Sequence, residues 1–324
     1  MRIDRRGLLA AAAVLGAAGC SGKVRDPMAR TGSASDQGGA APADATVTVG
    51  LTYIPNVQFC AFYLAKAAGM FGDMKVALRH HGEQEGLFEA LRMGREDIVF
   101  ASADEAVVAG DIATVATAYQ RYPIEVMIAG KASSLADLKG RTLGIPGRFG
   151  SSYYAALLAL RTAGFTEKDV QLQEIGFTAV SALATNQVDA IVGFTNNELV
   201  QFRSQGIAVS SLPVAREQTL VGPSLVTLPA QAEDPRIRAV IEGMRRAEEV
   251  IVADPQKGID ATAQEVPALA DPKQRTAAEK VLEATIHLWK GVDGRASVDV
   301  DDAAMRRMRT FLAEAGLLQK ESDG

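Results

Sequence analysis

Two loops carry the residue types best suited to holding a small polar ligand. Gly147–Ser152, GRFGSS, lies between a short strand pattern and a helical one. Its two glycines permit close backbone approach and positive φ. Ser151 and Ser152 set hydroxyls beside the free N–H groups of a helix start, where negative or hydrogen-bond-accepting atoms are favoured. The spacing and the lysine of a phosphate-binding P-loop are missing. The same residues would also make a plain helix cap, and both uses stay open. Asn196-Asn197-Glu198 follows directly on an apolar strand pattern, the position at which α/β sheets hold their ligands. Its carboxylate can accept from ring or exocyclic N–H groups, and its amides can donate and accept. An exposed helix cap is the alternative there. Tyr53, Tyr63, Tyr119 and Tyr122 fall in or beside strand-end loops, and Tyr153 and Tyr154 beside GRFGSS. Aromatic faces stack flat rings and bury large area at low entropic cost, although core-edge packing accounts for two or three of the six.

Other reactive residues point away from catalysis. His80 and His81 are adjacent on a strand pattern, so their side chains face opposite ways and cannot share an ion; His287 is the third and last histidine. No metal site is expected. Cys60 sits in an apolar run, where a thiol is buried and inert. No Ser-His-Asp motif, nucleophile elbow or paired-acid constellation is present. The chain reads as a non-enzyme with no cofactor.

The elements that must position these loops alternate. Val47–Phe71 reads as strand, loop and helix, broken at Pro55-Asn56 and stopped near Gly69. Strands follow at Met74–Arg79, Asp97–Ala101, Ala113–Tyr119 and Ile124–Ala129, with helices at Leu87–Met93 and from Ala106 to about Gly110. Ser102 and Asp104 precede that second helix as cap candidates. Such alternation implies a largely parallel sheet covered by helices. The rhythm restarts with strands at Arg141–Pro146, Val170–Ile175, Val188–Gly193 and Gly206–Leu212, and helices at Tyr153–Ala163 and Ala179–Thr185. Pro223–Leu228 reads as a strand returning to the first set. From Asp234 the pattern is helical: Pro235–Ala253, Ala261–Val266, Arg275–Trp289 and Asp301–Ala315. The expected layout is lobe one from 46–130 and 222–324, with an inserted lobe two at 131–221.

The composition fits this layout. The chain has 324 residues, 48% of them hydrophobic and 23% charged, enough for two cored lobes. A net charge of −5 without a basic tract argues against nucleic acid as partner. Two cysteines, Cys20 and Cys60, build neither a disulfide framework nor a zinc site. Residues 1–19 begin with arginines and continue in the apolar run Leu8–Leu15, too short to span a membrane, and read as a signal peptide. Ala17-Ala18-Gly19-Cys20 resembles a bacterial lipobox with Cys20 as the lipidated residue, although Ala17 stands where that pattern favours Leu. Arg5-Arg6 leaves the general and twin-arginine export routes both open. Ser21–Ala45, rich in Gly, Ala, Ser, Asp and Pro, is expected to be a flexible tether over 20–45.

TYIPNVQFCAFYLAKAAGMF, SLADLKGRTLGIPGRFGSSY and VDAIVGFTNNELVQ resemble solute-binding proteins of bacterial ABC importers, in the branch of thiamine-pyrimidine-precursor, riboflavin and sulfonate binders. The resemblance covers about Val47 to Leu212 and implies a two-lobed periplasmic-binding-protein type II fold of α/β class with a helical C-terminal segment. It implies a monomer anchored by lipid outside the cytoplasm, a permease in the membrane as partner, and a small N-heteroaromatic ligand such as a thiamine pyrimidine precursor closed between the lobes. Riboflavin and sulfonates are the alternatives. Carried over by position, the ligand contacts are Tyr53, Asn56, Ser102, Asp104, Tyr119, Tyr122, Gly150, Ser151, Ser152, Asn196 and Glu198. A sulfonate would call for a guanidinium, with Arg121 and Arg148 as candidates. Fungal relatives of the fold make the thiamine pyrimidine as suicide enzymes through a cysteine-rich motif; one cysteine in the folded body and an export signal argue against that class.

Overall fold

The computed structural model describes residues 46–81, 85–291 and 293–318. The expected signal peptide, Cys20 and the tether therefore lie outside the described residues. The chain runs β1 (Val47–Leu51), α1 (Cys60–Ala67), β2 (Val76–His80), α2 (Glu89–Arg92), β3 (Ile98–Ser102), α3 (Ala103–Ala109) and β4 (Ala113–Thr117). It continues with β5 (Ile124–Ala129), β6 (Thr142–Ile145), α4 (Gly150–Ala163), β7 (Gln171–Glu174), α5 (Ala179–Ala184), β8 (Ala190–Phe194), α6 (Glu198–Gln205) and β9 (Val209–Pro213). It ends with β10 (Pro223–Thr227), α7 (Pro235–Ala253), α8 (Pro255–Glu265), α9 (Pro272–Trp289) and α10 (Asp302–Glu314).

The strands form two five-stranded sheets, ordered β2-β1-β3-β10-β4 and β7-β6-β8-β5-β9. The two have one plan. In the first, β1 pairs parallel with β2 and β3, and β10 runs antiparallel between β3 and β4. In the second, β6 pairs parallel with β7 and β8, and β5 runs antiparallel between β8 and β9. Each sheet thus receives its antiparallel strand from a segment that has just left the other.

This relocates one expected element. The sequence pattern places Ile124–Ala129 in lobe one, with lobe two starting at 131, whereas β5 is an inner strand of the second sheet. The change of sheet falls between Thr117 and Ile124. Ile124, Val126, Met127 and Ile128 are all buried, so the segment reads as an inner strand. Nothing local states which of two similar sheets it joins. The tail divides as well. Residues of α7, α8 and α9 share the first sheet's core with Phe62, Phe100 and the buried Trp289. Ala304, Met308, Phe311 and Leu312 of α10 complete the second core with Leu143, Ile145 and Leu158. An amphipathic helix shows which face it buries but not which lobe receives it.

Local chemistry explains the starts of the tail helices. Asp234, Asp254, Asp271 and Asp301 cap α7, α8, α9 and α10 by accepting N–H bonds, and proline opens the first three. In lobe one, the buried Glu96 accepts from Arg79 at 2.6 Å and bonds His81 Nε2 at 2.9 Å. A Cβ on Gly50 would lie 2.4 Å from Glu96 Oε2, so only glycine fits on β1 there.

Candidate functional site

The two sheets present their strand ends to each other. Asp104, just beyond β3, accepts a hydrogen bond at 2.6 Å from Ser151 Oγ in the first turn of α4, just beyond β6. The lobes therefore meet where the chain leaves β3 on one side and β6 on the other, at strand ends, where α/β sheets hold their ligands.

Near this contact, α3 and α4 meet N-terminus to N-terminus. Asp104 is fully buried; its Oδ1 also accepts from the Glu105 N–H at 2.8 Å, and its Oδ2 accepts from Tyr122 Oη at 3.3 Å. Tyr122 Oη also approaches the Ser151 carbonyl at 3.4 Å. The Asp104 N–H donates to the Val221 carbonyl, so the cluster touches both segments that cross between lobes. Gly150 has φ +70°, and a Cβ there would lie 2.9 Å from Glu105 Oε1. Burial pushes the Asp104 carboxyl up toward neutral pH, against the lowering effect of the Ser151 hydroxyl. Burial and then the neighbouring Asp104 charge push Glu105 the same way. Burial, followed by those two carboxylates, raises Tyr122 and Tyr154.

A second bridge joins the lobes at Asn196. Its amide is fully buried and donates to Thr285 Oγ1 on α9 at 2.9 Å and to Tyr119 Oη at 3.3 Å. Its Oδ1 is buried without a hydrogen-bond partner. Burial raises the Tyr119 hydroxyl.

The remaining expected site residues fall into two groups. Tyr53 is 57% exposed at the end of β1, and its carbonyl meets His80 Nδ1 at 2.8 Å. Asn56 caps the turn before α1, accepting from the Gln58 N–H and donating to the Ile54 carbonyl. Ser102 is buried as the residue before α3, and Gly150, Ser151 and Ser152 open α4. Glu198 accepts from the Phe194 N–H at 2.7 Å and from the Asn197 amide at 2.9 Å. Burial raises its carboxyl. Glu198 thus braces the turn after β8 as well as opening α6.

Residues that the sequence reading missed complete the picture. Glu105 stands three places after Ser102, a capping-box spacing that could have flagged it. Thr285 had no signal, because it reaches Asn196 from 89 residues away. Phe149 and Phe177, 62% and 86% exposed, stand on the loops after β6 and β7. With Tyr53 they are large aromatics left in water on strand-end loops, which calls for a reason. Phe59 and Phe62 are packing residues, edge-on to Phe100. Cys60 is buried in that core and burial drives its thiol strongly up, so it is a poor nucleophile. The two candidate guanidiniums are engaged: Arg121 donates to the Lys290 carbonyl, and Arg148 pairs with Glu167 at 2.6 Å. Arg121 lines a groove of about 1160 Å³ between α6, α9 and the crossing segments; neither Asp104 nor Ser151 lines it.

Comparison with known proteins places this geometry. Residues 56–258 match the family described as NMT1/THI5 like. The chain belongs to the NMT1/THI5-like family. It is 31% identical over 318 residues to the riboflavin-binding protein RibY of Chloroflexus aurantiacus, covering 94% of this chain and 90% of that one. A shorter match, 34% identical over 91 residues, joins it to a putative thiamine biosynthesis protein of Haemophilus influenzae, spanning 28% of that protein. The periplasmic aliphatic sulphonate binding protein SsuA of Escherichia coli superposes with a TM-score of 0.67 at 19% identity, covering 87% of this chain and 91% of that one. At that identity the likeness is one of fold. The periplasmic-binding architecture, with two α/β lobes and a helical tail, agrees with the expectation from sequence.

Proposed function

We propose that this chain is the solute-binding component of an ABC importer that closes its two lobes on a flat N-heteroaromatic ligand, with riboflavin as the first candidate. The observation that carries the reading is the likeness to RibY along almost the whole length of both chains. The site fits it. Tyr53, Phe149 and Phe177 offer exposed ring faces on strand-end loops. Gly150, Ser151 and Ser152 supply donors at the start of α4, while Asn56 and Glu198, engaged within their own turns, hold the loops after β1 and β8 in shape. Asp104, Tyr119 and Asn196 hold the lobes against each other, with Tyr122 bonded to Asp104 and Ser102 buried just before α3. The thiamine-pyrimidine class is the second candidate, supported by the Haemophilus relative. Sulfonates rank lower, because Arg121 and Arg148 are both engaged elsewhere.

The scheme extends to place and partners. Lipid on Cys20 would hold the protein on the extracytoplasmic face, and the closed form would dock on a membrane permease. No helix among the described residues is long and apolar enough to cross a membrane. Calorimetric titration with riboflavin, a thiamine pyrimidine precursor and taurine tests the assignment. Saturable binding of riboflavin, with quenching of its fluorescence by the cleft aromatics, is expected. Binding of taurine alone, or of none of the three, would overturn it.

A further inference from the structure

We propose that Asp104 and Glu105, closed against Gly150 and Ser151, form a proton-taking latch, so that lobe closure becomes more favourable as pH falls through neutrality. The proposal rests on the two-lobed clamp reading but not on which ligand the clamp takes.

The geometry has three parts. First, the contact crosses between lobes: Asp104 Oδ1 accepts from Ser151 Oγ at 2.6 Å. The Gly150 Cα faces Glu105 Oε1 so closely that an added Cβ would sit 2.9 Å away. Second, the latch lies beside the segments about which the lobes must turn. Tyr122 of the first crossing donates to Asp104 Oδ2, and Val221 of the second accepts from the Asp104 N–H. Third, the cluster holds two neighbouring carboxyls and, among the described residues, no cation.

Among the described residues, the charged groups on the surrounding elements are all held elsewhere or exposed. On α4 the titratable neighbour is Tyr154, and on the first crossing it is Tyr122. Strands β3, β4 and β10, which pack on α3, carry no charged residue. The other charged group near α3, Asp111, pairs with Arg92. On α10, Arg307 donates to the Gln218 carbonyl and pairs with Glu217, and Arg306 and Arg309 are exposed. Arg148, at the start of the GRFGSS loop, pairs with Glu167.

Two adjacent carboxyls, Asp104 fully buried and Glu105 partly so, disfavour each other's ionised form. Opening the lobes would return them to water, where they ionise at ordinary carboxylate values. Closing them therefore takes up protons. Their affinity for protons is raised in the closed form, so closure is favoured below the closed-state titration range and loses that contribution as pH rises through it. Each proton taken up changes the closing equilibrium by about tenfold per pH unit across that window.

Small-angle scattering of the ligand-free protein between about pH 9 and about pH 6 tests the latch without any ligand. The wild type should compact as pH falls. The double variant Asp104→Asn with Glu105→Gln, which keeps shape and removes both titrations, should show a radius of gyration independent of pH. Should the double variant fail to fold, Glu105→Gln alone should make the transition shallower by one proton. A wild-type radius that does not change with pH would overturn the proposal. So would a folded variant whose transition is as steep as the wild type's. Failure of riboflavin to bind would leave this measurement untouched.

Discussion

Glu248 offers a stability prediction that can be worked through. It lies on α7 in the lobe-one core, is buried, and has no hydrogen-bond partner for Oε2. Burial raises its carboxyl well above the ordinary value of 4.5, against a smaller lowering from Arg245. Arg245 itself is committed to Glu242 and Glu249 on the helix surface. The folded protein therefore holds a proton on Glu248 that the unfolded chain releases. A group raised in the folded state contributes stability that is fully present below its unfolded value and is lost as pH rises toward its folded value. Retaining the proton at pH 7 costs up to about 3 kcal/mol, at roughly 1.4 kcal/mol per pH unit above 4.5. Glu248→Gln keeps the shape and removes the titration, while adding an amide N–H whose burial costs about 1–2 kcal/mol. The net expectation is a gain of about 1–2 kcal/mol at pH 7 that grows toward pH 8, vanishes between about pH 5 and pH 6, and becomes a loss of about 1–2 kcal/mol near pH 4.5. Urea unfolding of both proteins at about pH 5 and about pH 8 reads the difference. An identical stability difference at the two pH values would show that Glu248 is ionised in the fold and would refute the reasoning.

Three further outcomes follow from the geometry. Gly150→Ala forces a left-handed residue and a contact with Glu105 Oε1, so it should lower stability by about 1–2 kcal/mol in urea unfolding; an unchanged midpoint would mean that the first turn of α4 relaxes freely. Asn196→Ala strips the bonds to Thr285 and Tyr119 and should weaken ligand binding about tenfold by calorimetry, with far-ultraviolet circular dichroism unchanged. Retained affinity would remove Asn196 from the closing mechanism. Glu96→Ala removes the buried partner of Arg79 and His81 and should cost about 2–4 kcal/mol, less than for a fully buried pair because Arg79 is part-exposed; a loss below about 1 kcal/mol in the same assay would show the pair to be dispensable.

The local elements that carry these residues were legible because they depend on short-range chemistry. GRFGSS was read as a helix-opening loop from its glycines and serines, and α4 begins within it. The residues after β8 were read as strand-end polar groups, and they are. What these side chains touch was not legible. Asp104 was expected as a ligand contact on lobe one, and its carboxylate bonds Ser151 across the cleft. Glu198 had been paired with an amino-heterocycle, and it accepts from the Phe194 N–H within its own turn. Glu105 and Thr285 gained their places only when distant segments met.

The division is physical. Alternation, capping residues and apolar runs are properties of a few consecutive residues, so the chain's order of strands and helices and its acidic composition follow from sequence alone. Sheet membership is a property of pairs far apart in the chain. Ile124–Ala129 carries an inner strand's hydrophobicity that either sheet could bury, and only pairing with β8 and β9 assigns it to the second. The same holds for α10, whose apolar face met the second core. The placing of two carboxyls against the start of α4 likewise depends on how the two sheets come to rest against each other.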